Sequence, residues 1–432
     1  MSCVLVVGNG GREHALAWTL GRSPHVKRLL VAPGNGGTDL WERTENFPVS
    51  SDDISGLVGL CRDEAVDLVV VGPEVPLANG IVDALNAASM SAFGPRTSCA
   101  QLEASKAFCK QFLMRNQIPT ADARVFRDPN AAVDHIDSLQ DVPVVKASGL
   151  AAGKGVVVPA TKDEAKEAVK IMMVDRQFGV AGDEILVEEC LTGREVSVLA
   201  FCDGEDFVVL PPAQDYKRLQ DGDVGLNTGG MGSIVPAAGV DESLIDDQLM
   251  KRIEDTIITP TLDAFRKVGM PYRGLLYAGI MITDEGPKVL EFNCRFGDPE
   301  TQAVIRLLRS DLFEILHSCA TGSLTEVDIE WSSEASVAVV VASEGYPVES
   351  SDSVPIAGID AAVEEGCVIF HAGTKLDDGV IYTNGGRVLA VTAVGSDLTT
   401  AADHAHRGVS HIGFKGARHR ADIGRTIGGM AV

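Results

Sequence analysis

The residues with the clearest chemical meaning lie in the run Val289-Leu290-Glu291-Phe292-Asn293-Cys294-Arg295-Phe296-Gly297-Asp298-Pro299-Glu300-Thr301. Side chains alternate along a strand, so Glu291, Asn293 and Arg295 should share one face while Leu290, Phe292, Cys294 and Phe296 share the other. A carboxylate and an amide oxygen two residues apart are hard ligands suited to Mg²⁺, which takes few protein oxygens and completes its shell with substrate phosphates. Arg295 beside them can hold an anion. Asp298 before Pro299 predicts a capped helix start, a second anion-friendly group. A solvent-facing edge strand is the weaker alternative, because three polar groups on one face are followed by a cap.

Two glycine loops add phosphate chemistry. In residues 145–156, Lys146 closes a strand and Lys154 lies in the turn among Gly149, Gly153 and Gly155. The glycine spacing, the Gly155 after Lys154 and the strand that follows are wrong for a P-loop. A flap that folds over a triphosphate is expected instead, with an ordinary hairpin loop as the alternative. The loop Gly8-Asn9-Gly10-Gly11 stands between a strand and a helix, where backbone N–H groups favour a phosphate. Glu13 occupies the third-glycine position of a dinucleotide fingerprint, and the next strand ends in Ala32-Pro33-Gly34 where a ribose-binding acid belongs. A nicotinamide-dependent oxidoreductase is thereby disfavoured, leaving a smaller phosphate ester or a bare turn.

Weaker signals surround these. Glu188-Glu189-Cys190-Leu191 and Glu195 could offer a hinge and carboxylates to adenine and ribose, although a solvated turn explains them equally. Asp215-Tyr216-Lys217-Arg218 leads to the cluster Asn227 to Gly232, which could order around a small substrate or be a surface loop. His404, His406 and His411 have no partners at metal spacing and are expected to be exposed. No nucleophile elbow is present.

The elements that must position these groups can be read from periodicity. Residues 3–7, 29–32 and 67–71 are short apolar runs, each followed by a Gly/Pro loop, which predicts a doubly wound parallel sheet with its site at the strand carboxyl ends. Residues 142–146, 155–158 and 185–189 with a helix over 162–173 predict a small α+β lid. Strands over 274–283 and 288–296 precede a helix from about residue 299. Beyond about residue 331 the chain is β-rich, with Asn384-Gly385 predicting a hairpin between 380–383 and 387–394, and a last helix over 398–411. The fold class is α/β and α+β multidomain, divided as 1–103, 104–330 with a lid at about 121–192, and 331–432.

Composition limits the partners. Among 432 residues, 61 acidic against 37 basic side chains give a net charge of −24, which repels nucleic acid and anionic membranes, so any phosphate must be held locally. Such an acidic surface also suits a salt-adapted source. Nine scattered cysteines without a C-x-x-C pair, no signal sequence and no membrane span point to a reduced, cytoplasmic protein.

Taken together, GNGGREHALAW, APGNGGT, VGPEVPL, LEASKAF, GLAAGKGV, NTGGMG, LEFNCRFGDPETQ, FHAGT and TNGGRVL closely resemble the glycinamide ribonucleotide synthetases, the phosphoribosylamine–glycine ligases of purine synthesis, which are ATP-grasp enzymes. The resemblance spans nearly the whole chain, and with the sequence ending at Val432 no fused later pathway domain is expected. It implies that Lys106 and Lys146 hold ATP phosphates beneath the 149–155 flap, that Glu188, Glu189, Leu191 and Glu195 receive adenine and ribose, and that Glu291 and Asn293 bind Mg²⁺ or Mn²⁺. Arg295, Asp215 and Lys217, with Gly297, Asp298 and Thr301, would line the glycine and acyl-phosphate side. Gly10, Gly11, Asn35 and Gly37 would take the ribose phosphate of 5-phosphoribosylamine, with Glu74 nearby. A monomer is expected. Ser148, Tyr216, Leu226, Ser233 and Ile234 depart from the usual family pattern. They bear on the shapes of the flap and the substrate loop. Another ATP-grasp ligase, or a nucleotide sensor without turnover, is the remaining rival.

Overall fold

The computed structural model describes residues 1–151, 154–236, 245–349 and 352–425. The first sheet is parallel, ordered Thr44–Asn46, Val26–Pro33, Ser2–Gly8, Leu68–Val71, Ser91–Phe93. The central strand pairs Val6 with both Val31 and Val70, and Val4 to Val7 are buried because helices cover both faces. All three glycine loops therefore emerge at one edge, as the apolar runs predict. The outermost strands are three residues long, too short for periodicity to reveal.

An antiparallel lid sheet follows, ordered Ala123–Phe126, Ile185–Glu188, Val144–Ala147, Val156–Val157. Next comes a central antiparallel sheet, ordered Phe207–Val209, Arg194–Asp203, Arg273–Thr283, Gly286–Asn293. The expected strict alternation fails inside its last strand. Gly279 pairs with Glu291 while Ile280 pairs with Val289, so Leu290 is bulged out of the ladder. Val289 takes the core position beside Phe292 that alternation assigns to Leu290, and the strand ends at Asn293 rather than 296.

The carboxy-terminal sheet is shared between sequence regions. Gln214–Asp215 and Gly232–Val235 pair into it ahead of Ala335–Ala342, Arg387–Gly395 and Val368–His371, and the helix Leu398–His411 covers it. The Asn384-Gly385 hairpin does not form. Val380–Thr383 pairs instead with Thr374–Asp377 across Asp378-Gly379, whose φ values of +44° and +76° suit a tight mirror-image turn. Asn384 and Gly385 pack on Gly373, with the Asn384 N–H donating to the Gly373 carbonyl at 2.7 Å. His406 is buried rather than exposed, its Nε2 lying 2.9 Å from the Ile423 carbonyl, because helical spacing turns it toward the sheet.

Candidate active site

The lid sheet and the central sheet face each other across a cleft lined with paired charges. Lys146 lies on Val144–Ala147, and its Nζ sits 2.7 Å from Glu188 Oε2 at the end of the adjoining strand. It also donates to the carbonyl of the bulged Leu290 at 3.3 Å, so the bulge connects the two sheets. Lys110 reaches the other Glu188 oxygen at 3.3 Å and donates to Thr120 Oγ1 and the Ala121 carbonyl at 2.7 and 3.0 Å. Burial depresses the Lys110 pKa despite Glu188. Burial opposes charge on Lys146 too, but Glu188 and Glu291 hold its pKa above the ordinary value. Lys110 carries no sequence signal; its role appears only when Lys106–Arg115 packs against the strand bearing Glu188.

Opposite these lysines stand Glu291 and Asn293. Burial would raise the Glu291 carboxyl, yet Lys217, Lys106, Lys146 and Arg295 outweigh it and keep it below the usual range. Lys217 is paired with Glu195 and lies 3.9 Å from Asp215 Oδ1. Burial and the neighbouring Glu300, Glu195 and Glu291 push the Asp215 carboxyl well up, against the pull of Lys217. No cluster of three or more His, Cys, Asp or Glu suited to a metal occurs among the described residues. One carboxylate and one amide amid this many ammonium groups fit an ion that arrives with phosphates and takes few protein oxygens.

Arg295 is held by Glu103, 2.8 Å from its Nη2, and its Nε lies 3.3 Å from Glu74 Oε2 in an ion pair without hydrogen-bond geometry. Glu103 also accepts the Cys294 N–H at 2.7 Å, and burial raises its carboxyl. Glu300, buried, accepts from Tyr277 Oη and lies 3.4 Å from Ser197 Oγ. Both acids lie within quoted motifs, LEASKAF and GDPET, but their inward direction is a packing result. Thr301 spends its hydroxyl on the Gly297 carbonyl at 2.6 Å.

Asp298 does not cap its own helix as expected. The helix is Glu300–Val304 with Pro299 at the cap position, so Asp298 stands one residue too far back. Its carboxylate instead accepts from Gln302 Nε2 at 2.7 Å, meets the Arg12 N–H at 3.4 Å at the start of Gly11–Leu20, and pairs with Arg387 at 3.3 Å. Glu13 accepts the Gly10 N–H at 2.7 Å, and a Cβ on Gly72 would lie 2.0 Å from its Oε1. That carboxylate fills the crevice a dinucleotide pyrophosphate needs. Asn35 Nδ2 donates to the Asn9 and His371 carbonyls at 3.0 and 2.8 Å, and its Oδ1 accepts from Gly37 at 2.9 Å. A cavity of about 250 Å³ opens here, walled by Gly10, Asn35, Asp298, Thr374, Asn384 and Arg387. The carboxy-terminal wall falls within the quoted motifs FHAGT and TNGGRVL, but no site role was expected of its residues.

The flap is described only in part. Gly153 lies outside the described residues, while the Gly149 N–H donates to the Ala181 carbonyl at 3.1 Å and Lys154 and Gly155 follow toward Val156–Val157. Lys106 begins its helix with its N–H on the Ser148 carbonyl at 2.7 Å, and Ser148 Oγ accepts from Ala107 at 3.2 Å. Glu189 is exposed and meets the Asp122 N–H at 3.3 Å; Leu191 is half-buried in the hinge. Tyr216 turns away from the cleft, with Arg420 stacked 5.0 Å above its ring, and Leu226 is exposed.

Family models for phosphoribosylglycinamide synthetase match as its N domain over residues 2–103, its ATP-grasp (A) domain over 104–301 and its C domain over 336–426. This chain belongs to the phosphoribosylglycinamide synthetase family. Within it, the chain is 46% identical to a phosphoribosylamine–glycine ligase from Rhodopirellula baltica, over 97% of this chain and 96% of that one. It is 53% identical to the trifunctional purine biosynthetic protein adenosine-3 of Gallus gallus over 98% of its own length, but spans only 42% of that longer protein. The solved phosphoribosylamine–glycine ligase of Thermotoga maritima superposes with a TM-score of 0.82 at 32% identity, covering 97% of this chain and 99% of that one. A biotin carboxylase from Campylobacter jejuni, at 12% identity and a TM-score of 0.72, shares the fold. The family's three-domain, ATP-grasp architecture is thus this chain's architecture.

Proposed function

We propose that this chain joins the carboxylate of glycine to the amine of 5-phosphoribosylamine, converting ATP to ADP and phosphate through a glycyl phosphate intermediate in purine synthesis. The observation that carries this reading is the juxtaposition of two sites. Arg295 is one of the cations that hold Glu291 low beside Lys146 and Lys217, and it also acts on Arg387, which with its partner Asp298 walls the glycine-lined cavity.

A carboxylate is a poor electrophile, so a glycine oxygen first attacks the γ-phosphorus and ADP leaves. Lys106, Lys146 and Lys217 supply positive charge where phosphoryl charge builds, and Lys146 and Lys217, each paired with a glutamate, need little reorganisation. Mg²⁺ or Mn²⁺, held by Glu291 and Asn293, would neutralise charge on the phosphates. Glu188 to Leu191 and Glu195 flank the adenosine, while Gly149, Lys154 and Gly155 close over the triphosphate and exclude water. Arg295, Asp215, Gly297 and Thr301 line the glycine side. The amine of phosphoribosylamine, seated by Gly10, Gly11, Asn35, Gly37 and Glu74, then attacks the acyl carbon. Phosphate departs and the amide forms.

A cytoplasmic monomer remains our reading: the net charge of −24 disfavours nucleic acid and anionic membranes as partners, and nine free cysteines suit a reducing compartment. The test is ADP release from ATP with Mg²⁺ and glycine, with and without freshly generated phosphoribosylamine, the product being identified by mass. Turnover that needs both substrates and yields glycinamide ribonucleotide is expected. ATP binding without turnover on this pair would overturn the substrate assignment.

A further inference from the structure

Arg387 makes more contacts than a wall residue of the cavity needs. It opens the strand Arg387–Gly395, and its Nη1 donates to the carbonyls of Gly229 and Asp298 at 2.6 and 2.7 Å. From the other side, the Gly229 N–H donates to Tyr346 Oη at 2.8 Å. Tyr346 is itself packed over Gly386, where an added Cβ would lie 2.4 Å from the ring. Two side chains from the carboxy-terminal region thus grip opposite sides of one glycine.

The same turn holds Lys217. The Thr228 N–H and Oγ1 donate to the Lys217 carbonyl at 2.8 and 2.9 Å, and the Gly230 N–H donates to Thr228 Oγ1 at 3.0 Å. The Met231 N–H donates to the Tyr216 carbonyl at 2.7 Å. A continuous chain of hydrogen bonds therefore runs from the cavity wall to the residue whose ammonium pairs with Glu195 beside Glu291. Gly229 is exposed, but Thr228, Gly230 and Met231 are buried, and Gly230, at φ +111°, lies so close to Pro299 that a Cβ there would sit 2.4 Å from its ring, so the turn passes a displacement on rather than absorbing it.

We propose that Arg387 is a positioning residue: occupancy of the cavity by a sugar phosphate is relayed through Arg387, Tyr346 and the turn at 228–231 to Lys217, so that glycyl phosphate forms fastest when the acceptor's seat is filled. This rests on the reading of the cavity as the ribose-phosphate seat. The chemical reason is that an acyl phosphate made before its acceptor arrives is lost to water. Coupling of this kind between two sites amounts to about 5- to 150-fold in affinity.

The test separates acyl phosphate formation from ligation. Hydroxylamine attacks the glycyl carbon and expels phosphate, giving glycine hydroxamate, so it reports the first step without phosphoribosylamine. Ribose 5-phosphate, which has the sugar and phosphate but no amine, serves as the silent occupant, and its binding is measured by calorimetry. In the parent protein it is expected to raise kcat/KM for glycine in the hydroxamate assay by about fivefold or more. Tyr346→Phe removes one hydrogen bond from the grip. It should leave the rate without ribose 5-phosphate unchanged while cutting the stimulation by about fivefold. Arg387→Lys, assayed at its own saturating ribose 5-phosphate, should lose the stimulation as well. Binding without stimulation in the parent protein, or full stimulation in both variants, overturns the relay alone. No binding of ribose 5-phosphate overturns the seat and the relay with it.

Discussion

Replacing Glu188 by Gln tests the electrostatic design of the cleft most directly. The carboxylate is 4% exposed and is shared by Lys146 at 2.7 Å and Lys110 at 3.3 Å, the latter also only 4% exposed. Glutamine keeps the shape but leaves two buried ammonium groups without their anion, and breaking such an arrangement costs about 3–5 kcal/mol. The sign of the pH dependence follows from Lys110. Its folded pKa is already depressed by burial; losing Glu188 depresses it further and lowers that of Lys146 from its raised value. The unfolded chain of the variant then binds more protons than the folded chain, so its stability rises with pH. The parent protein instead loses the stabilisation from Lys146 as pH climbs through that group's raised folded value. The deficit of Glu188→Gln should therefore be largest near pH 7 and shrink toward pH 10, as read from urea unfolding at several pH values. A deficit below about 1 kcal/mol, or one that does not change with pH, would refute the claim that Glu188 is the shared counter-ion.

Other consequences can be checked separately. Glu291→Ala should lower Mg²⁺-dependent ADP release by about a thousandfold while the circular dichroism spectrum stays that of the parent; full activity would remove Glu291 from the metal site. Gly72→Ala places a Cβ 2.0 Å from Glu13 Oε1 and should cost about 1–3 kcal/mol in urea unfolding. Burial lowers the His371 pKa to about 4, so its contribution is complete above the unfolded value near 6.5 and is lost as pH falls toward 4. His371→Gln should flatten the acid limb of the stability profile by about 3 kcal/mol over that window, and an unchanged slope would show the imidazole is not held neutral.

Much of the site was legible because it is local. Glu291 and Asn293 are recognisable from one strand's spacing, Arg295 from the same run just past the strand's end, and the Gly10 and Gly34 loops from apolar runs that end in glycine. Glu13 argued against a dinucleotide from its position, and the structure supplies the reason, since its carboxylate occupies the crevice. Errors arose where a local signal competed with pairing from afar. Asn384-Gly385 is the stronger hairpin dipeptide on paper, but Arg387–Gly395 finds longer partners in Ala335–Ala342 and Val368–His371, and Asp378-Gly379 makes the turn. Strict alternation misplaced Leu290 because a bulge is set by the register with Arg273–Thr283.

The sequence alone determined which groups have the chemistry we propose for phosphate and metal, since residue type and spacing along a single strand or loop decide what a group could bind. The partners of those groups were decided only by tertiary structure. Lys110 on Glu188, Glu103 on Arg295, and Arg387 on Gly229 and Asp298 join residues far apart in the chain. Which buried charge meets which depends on how sheets and helices pack, and burial is what makes each meeting obligatory, because an unpaired charge out of water costs more than the fold can spare.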